Sequence, residues 1–366
     1  MKKFLGVAAA ALAAGMAFTL AGCGGCSGCN SKTSNNTLTV SNWYTGTGFK
    51  GIQPFFIAGD NPDYTKEIIK YDVNFDGSAA ANNSYSVNYK DGSFTTEFYA
   101  ERYNWNSANI PENYRTDKTE LLYCYKTELT ISVQYKKGEE LSEWFNDSVK
   151  TVCMFRAAEF GLKPVYSKQI VKSTSPNGYQ ASKLQSCYKV VDETYESFYD
   201  INCREVTTFN GENKTVYEGI NKHRNSVFDN SSLYIAVRSM KLSGNFAQTV
   251  DLYSPAAGGF SKYRIAGNES GLADEERKAI STALADKGLY AFKNEEDKGV
   301  NTISANVSFA DGELSGATHK IWYAAVENTN NNTARATMLK LTVPISYNLG
   351  SLNYTLKEVV STIWDK

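Results

Sequence analysis

The chain has 366 residues, with 38 Lys and Arg against 39 Asp and Glu, for a formal net charge of −1. That balance excludes electrostatic nucleic-acid binding, which needs a basic face. Its 24 Tyr, 18 Phe and 5 Trp beside only 7 Pro favour strands joined by polar turns.

The N-terminus reads as an export and lipidation signal. Lys2 and Lys3 supply positive charge, Phe4 to Thr19 an uncharged apolar run, and Leu20-Ala21-Gly22-Cys23 a small-residue approach to a cysteine. This resembles a bacterial lipoprotein signal, which implies cleavage after Gly22 and diacylglycerol on the thiol of Cys23. The apolar run is shorter than the ~20 residues of a spanning helix, and no later stretch approaches one. Two acyl chains attach a protein to a bilayer by on the order of 20 kcal/mol, so the membrane is the first expected partner. Without residues 1–22, which carry two lysines and no acid, the net charge is −3.

Residues 23–37 read as a Gly/Ser/Asn linker. Cys23, Cys26 and Cys29 mimic metal-ligand spacing, but nothing there supplies a rigid framework and Cys23 would be lipidated, so no metal site is assigned. Setting Cys23 aside, six cysteines remain. Cys124 with Cys153 and Cys187 with Cys203 are conceivable bridges, and buried free thiols fit equally well.

From Leu38 the chain alternates apolar and polar residues, and residues 38–366 read as a single large β domain with an N-terminal extension of the sheet. Period-two patterning predicts strands at 68–75, 84–89, 93–102, 129–136, 149–156, 164–173, 203–209, 214–219, 261–266 and 303–309, with a terminal hairpin of 339–345 and 352–356. Turns are expected at Asp76-Gly77, Asp91-Gly92, Asn210-Gly211 and Asp311-Gly312. Pro344 lacks a donor, which predicts an edge strand or a bulge there. Two helices are predicted. One runs from Asp229, a good N-cap, to Met240, with Leu233, Val237 and Met240 on one face. The other spans 274–287 and stops at Gly288.

Motifs for catalysis are weak. Gly46-Thr47-Gly48-Phe49-Lys50-Gly51 matches a dinucleotide fingerprint, but Pro54 and two Phe follow in place of the required helix. Ser186-Cys187-Tyr188-Lys189 has Ser-x-x-Lys spacing without the partner motifs of penicillin-recognising enzymes. The two histidines, His223 and His319, have no nucleophile turn to serve. No enzymatic activity and no cofactor are expected. Trp43-Tyr44, Tyr103-Asn104-Trp105 and Trp322-Tyr323 are candidates for stacking on sugar rings, although core filling explains aromatics in a sheet-rich domain more simply.

The run Phe228-Asp229-Asn230-Ser231-Ser232-Leu233-Tyr234-Ile235-Ala236-Val237-Arg238 resembles a segment of an uncharacterised family of exported envelope β proteins. Ile321-Trp322, Val343-Pro344, Leu349-Gly350-Ser351 and 352–356 follow in the same order, so the resemblance spans about residues 200–357. It implies a fold like the periplasmic lipoprotein carriers: a large, strongly curved antiparallel sheet forming a half-barrel, with one or two helices covering its open side.

The expected function is therefore that of a membrane-anchored surface or periplasmic lipoprotein that binds an apolar ligand, a lipid or lipidated cargo, without catalysis. Leu233, Val237 and Met240 would bound the ligand space. The competing expectation is a structural or assembly subunit of the envelope, binding protein or glycan through a sheet edge or an aromatic patch. A hydrophobic cavity discriminates for the first and a filled core for the second. Thioether formation needs the Cys23 thiol, so Cys23→Ser should abolish metabolic labelling by a fatty-acid analogue; undiminished labelling would remove the lipoprotein assignment.

Overall fold

The computed structural model describes residues 66–78, 84–158, 161–178, 182–220, 227–238, 240, 242, 246–268, 270–309, 318–325 and 337–361. Alternation of buried and exposed residues along most of the chain builds a mainly β protein. Its first half supplies β1 (Glu67–Asp76), β2 (Ser86–Asn104), β3 (Thr119–Lys137), β4 (Glu140–Leu141), β5 (Phe145–Ala158), β6 (Gly161–Pro176), β7 (Tyr188–Tyr199), β8 (Glu205–Asn210) and β9 (Asn213–Glu218). The second half supplies β10 (Val227–Asp229), β11 (Ala247–Ser254), β12 (Gly259–Asn268), β13 (Thr302–Phe309), β14 (His319–Ala324), β15 (Met338–Pro344) and β16 (Ser351–Ser361). Two α-helices accompany them, α1 (Leu233–Arg238) and α2 (Asp274–Ala285).

All sixteen strands form one sheet, ordered β10-β11-β12-β13-β14-β15-β16-β1-β2-β3-β5-β6-β7-β8-β9, with β4 paired to β3. The first strand thus lies mid-sheet against the last, and each half of the chain meanders outward or back. Every pairing is antiparallel except the parallel β10–β11.

This order forces the sheet to curl. Fifteen strands side by side would span roughly 65 Å at ~4.8 Å each. The step from Glu218 at the end of β9 to Val227 at the start of β10 is nine residues, which reach ~30 Å at most. The ends of the sheet must therefore approach each other, and their side chains do. Tyr253 of β11 shares a 2.7 Å hydrogen bond with Thr208 of β8 and packs at 5.9 Å on Tyr199 of β7. Tyr217 of β9 lies 5.2 Å from Phe260 of β12. Among the described residues, the barrel-like curl is closed by side chains and not by a hydrogen-bonded ladder.

Inside the curl lies α1. Asp229 caps the turn Asn230–Ser232 that leads into it, its side chain accepting from the Ser231 amide at 2.8 Å. Leu233, Tyr234, Ile235, Ala236 and Val237 are all buried. A short helix apolar on every side is a core element rather than a lid. It fills the interior instead of covering an open side, and it ends two residues before Met240, which is itself buried. Helix α2 keeps acidic residues in its first turn, the end where the helix dipole favours them, and buries Ile280 and Leu284 beside β16. On the convex face, the β2–β3 connection folds back over the sheet and buries Trp105, Ile110 and Tyr114.

Three local expectations change. Asp91-Gly92 is not a turn between two strands. It is a bulge within β2, where register shifts between Lys90 and Ser93 and Asp91 takes φ 53°. The 19-residue β3 pairs with both halves of β2 and so holds them as one strand. A Cβ on Gly92 would lie 2.6 Å from the Val73 carbonyl oxygen, which fixes glycine there. The strand carrying Pro344 is not an edge but central, between β14 and β16, and it does carry an irregularity, where its register with β14 shifts between Lys340 and Met338. The proline itself is tolerated because it is that strand's last residue, paired with Ser351. Strands β7 and β11 escape the period-two search because polar residues occupy inward positions, Ser197 and Gln248 among them.

Val237 is fully buried on α1. Val237→Asp should cost roughly 4 kcal/mol or more and unfold the domain, whereas Val237→Ala should cost about 2 kcal/mol, both read from denaturant midpoints.

Candidate functional site

Two polar features break the apolar interior. The first surrounds Asp229, at the junction of the two sheet ends. Its carboxylate Oδ2 accepts hydrogen bonds from the Ser167 and Tyr199 hydroxyls, both at 2.6 Å. Gln169 donates through Nε2 to Asn230 Oδ1 at 2.5 Å and to Ser231 Oγ at 2.7 Å. Ser197 and Thr208 share a 2.8 Å hydrogen bond alongside. Burial raises the Asp229 pKa, while the Ser167 and Tyr199 hydroxyls oppose that rise. Every oxygen of this carboxylate has a donor, as a buried polar network requires. It ties β10 and the α1 entry to β6 and β7, and it offers no access to a substrate.

The second feature lies at the other end of α1. Arg238 grips Glu67 in a bidentate pair, Nη1 to Oε1 at 2.5 Å and Nη2 to Oε2 at 3.0 Å. Glu67 opens β1, so this pair anchors the helix to the first strand. Beside it is a recess of about 20 Å³, lined also by Tyr71, Tyr125, Ile235 and Tyr323, which has room for a water molecule. Tyr323 donates to the Tyr234 carbonyl at 2.9 Å and Tyr71 to the Met338 carbonyl at 2.9 Å, so the wall is held by its own hydroxyls.

Of the residues expected to bound a ligand space, Leu233, Val237 and Met240 are each 0 % exposed. None of them lines the recess, which Tyr234, Ile235 and Arg238 reach instead. The space expected beside the stripe is occupied by core side chains because α1 is packed on all sides. Cys23, Cys26 and Cys29, Trp43-Tyr44, the Gly46–Gly51 run, His223 and Asp311-Gly312 lie outside the described residues.

The other cysteines are free and buried, and the fold separates the imagined pairs. Cys124 faces the convex cluster of Trp105, Leu122 and Met154, whereas Cys153 faces the interior. Cys187 precedes β7 and Cys203 follows it; the twelve residues of that strand hold them roughly 40 Å apart, far beyond the ~7 Å limit for a disulfide. The aromatic pairs are structural. Trp105 donates to Glu120 at 2.7 Å beneath Arg156, and Trp322 donates to the Ser270 carbonyl at 2.9 Å. His319 is buried beside Tyr234, 3.2 Å from its hydroxyl, and desolvation pushes its pKa down to about 3.

The surface is more open to partners. Strand β9 is exposed along nearly its whole length, with Val216 46 % exposed. Leu141 and Trp144 are further exposed apolar side chains, with Lys90 4.3 Å from the Trp144 ring. Sequence reasoning missed Glu67, Asp147, Ser167, Gln169 and Tyr199. Their signal is polar residues at inward positions of alternating strands, visible only once the inward face is known.

No family of known proteins matches the sequence, and no curated protein matches it. Among solved structures, it is similar to a β-barrel-like protein of the domain of unknown function DUF1849 from Brucella abortus, with 10 % identity and a TM-score of 0.43, covering 83 % of this chain and 99 % of that one. Among the described residues no helix is long and apolar enough to cross a membrane.

Asp147 yields a test of the interior electrostatics. It is 3 % exposed, and burial pushes its pKa up to about 7 against the hydrogen bond from the Thr174 amide. A raised carboxyl pKa means the folded state holds a proton that the unfolded state has lost, so stability falls as pH rises from about 4 to about 7. Asp147→Asn should flatten that decline and gain up to about 4 kcal/mol over wild type at pH 8, measured by urea unfolding across pH; an unchanged slope would refute the assignment.

Proposed function

We propose that the protein is an exported envelope lipoprotein, tethered through acyl chains on Cys23 to the cell membrane or the outer membrane, that acts by binding at its outer surface without catalysis. It serves as a structural or assembly subunit, facing the periplasm or exterior, and its partner is another envelope protein or a glycan met through the sheet edge or an aromatic rim. The observation that carries this reading is the close packing around α1 among the described residues. The helix that resemblance to lipoprotein carriers would place over a cavity sits inside the curl with its apolar residues buried, and the recess beside it measures about 20 Å³. Sites for drug-sized ligands measure roughly 300–1,000 Å³, more than tenfold larger, and an acyl chain needs comparable room. The Cys23 context and the Gly/Ser/Asn-rich composition of the stretch after it support the tether.

The second reading, an apolar ligand held inside, is favoured by the aromatic lining of that recess. Native mass spectrometry of residues 38–366, purified without the lipid anchor, separates the two. Surface binding predicts the mass of the bare chain. A co-purified lipid or fatty acid would overturn it in favour of the interior site.

A further inference from the structure

We propose that strand β9 is a self-complementary edge through which two copies of this chain join into one continuous sheet. The proposal rests on the surface-binding reading above and names its partner as a second copy.

The geometry comes from the β8–β9 hairpin. Asn210 pairs with Asn213 across a loop of Gly211 and Glu212, and Gly211 takes φ 57°, as the two-residue hairpins require. The residues flanking such a loop exchange both hydrogen bonds, and bonded and non-bonded pairs then alternate along the ladder. Lys214, Val216 and Glu218 fall on the non-bonded positions, opposite Phe209, Thr207 and Glu205. Their amides and carbonyls therefore point away from β8, toward the side of the strand that has no ladder partner among the described residues. The other end strand, β10, has no such freedom: it packs against β6, and its Asp229 is buried and fully bonded.

An antiparallel copy centred on Val216 uses all these outward groups in one register. Val216 meets Val216, and Lys214 of each copy meets Glu218 of the other. The three side chains share one face because they are two residues apart, so two Lys–Glu pairs flank an apolar centre. A lysine on an edge strand ordinarily discourages pairing; here the register converts it into a match.

Charge within the single chain points the same way. Glu218 lies directly opposite Glu205 across the β8–β9 ladder, and like charges in that position destabilise a sheet. Among the described residues, neither glutamate belongs to an ion pair; Glu205 accepts a 3.3 Å hydrogen bond from Asn113 and lies beside the Tyr114 hydroxyl, neither of which brings a cation. Lys214 of a second copy arrives at this pair of carboxylates. Val216, at 46 % exposure among exposed polar neighbours, is covered at the same moment.

The test is cysteine crosslinking of the full-length chain in detergent, with wild type as the background for its own thiols. In the proposed register the two Val216 Cα atoms lie ~5.5 Å apart, inside the 4.4–6.8 Å range of disulfides. The two Lys214 positions are offset by four residues, roughly 14 Å. Val216→Cys should therefore form a disulfide-linked dimer at least about tenfold faster than Lys214→Cys. Adding Lys214→Glu to Val216→Cys should cut the yield several-fold, and adding Glu218→Lys as well should restore it. Equal rates at 216 and 214, or a charge swap that fails to restore the yield, would overturn the proposal. Monomers together with a lipid-free interior would discard the second copy and leave the surface reading intact, whereas bound lipid would discard that reading itself.

Discussion

The curl of the sheet is the constraint on which the rest of the molecule depends, and Asp229 is the residue that pins it. The nine-residue step between the two ends of a fifteen-strand path makes a flat sheet impossible, but it does not say which faces meet. That choice is made where β10 passes under β6 and β7. A carboxylate placed there without donors would be intolerable. Ser167, Tyr199 and the Ser231 amide satisfy it together; the amide comes from the local turn, but the two hydroxyls of β6 and β7 are in position only when the ends have come together in the observed way. The same residue also caps the turn into α1, so the contacts that close the curl and the cap that starts its helix share one side chain.

Once the helix is inside, the mouth of the curl has to be held at its other end. The Glu67–Arg238 pair does this with a guanidinium whose planar fork matches a carboxylate. Breaking one partner of such a mostly buried pair costs more than the pair contributes, because the other charge is stranded. Arg238 is thus a fastening between the helix and the first strand, and the recess beside it is the packing defect that two charged heads leave among bulky tyrosines. The interior is polar where elements must be positioned and apolar where they must only be filled. The segment Phe228–Arg238, picked out by resemblance, reads in the structure as the parts of this fastening: a capping aspartate, a buried serine and leucine, a tyrosine on His319, and an arginine on Glu67.

Much of the sheet was legible in the sequence because alternation is a direct record of one-sided burial. Leu129, Ile131, Val133 and Tyr135 point inward on β3, and the terminal hairpin falls where its pattern places it. What period two cannot show is how a sheet rolls. Helical spacing predicts that Leu233, Val237 and Met240 share a covered face, and they are covered; it gives no sign that Tyr234, Ile235 and Ala236 are covered too, since that follows from a helix inserted within the curl. The inward polar residues were invisible for the same reason. Ser167 and Gln169 look like a solvent face until the opposite end of the sheet is seen to lie on them. Asp91-Gly92 shows the complementary failure: a strong local turn signal yields to a long neighbouring strand that continues past it.

On the proposed reading, close packing around α1 changes what a lipid tether would be for. A carrier needs to leave the membrane or open toward it, and an attachment on the order of 20 kcal/mol serves neither step without further machinery. For a protein that acts through its surface, the same attachment is useful, because it holds every copy in a thin layer and raises the effective concentration of weak edge contacts. Edge strands are hazardous in free solution, where natural proteins blunt them with charge and short length. Strand β9 is short and charged in that way, yet the spacing of Lys214 and Glu218 about Val216 makes its charges complementary to an antiparallel copy of itself. Such an edge repels misaligned or parallel strands through like-charge contacts while admitting one register, which is how specificity arises from a contact too small to be tight.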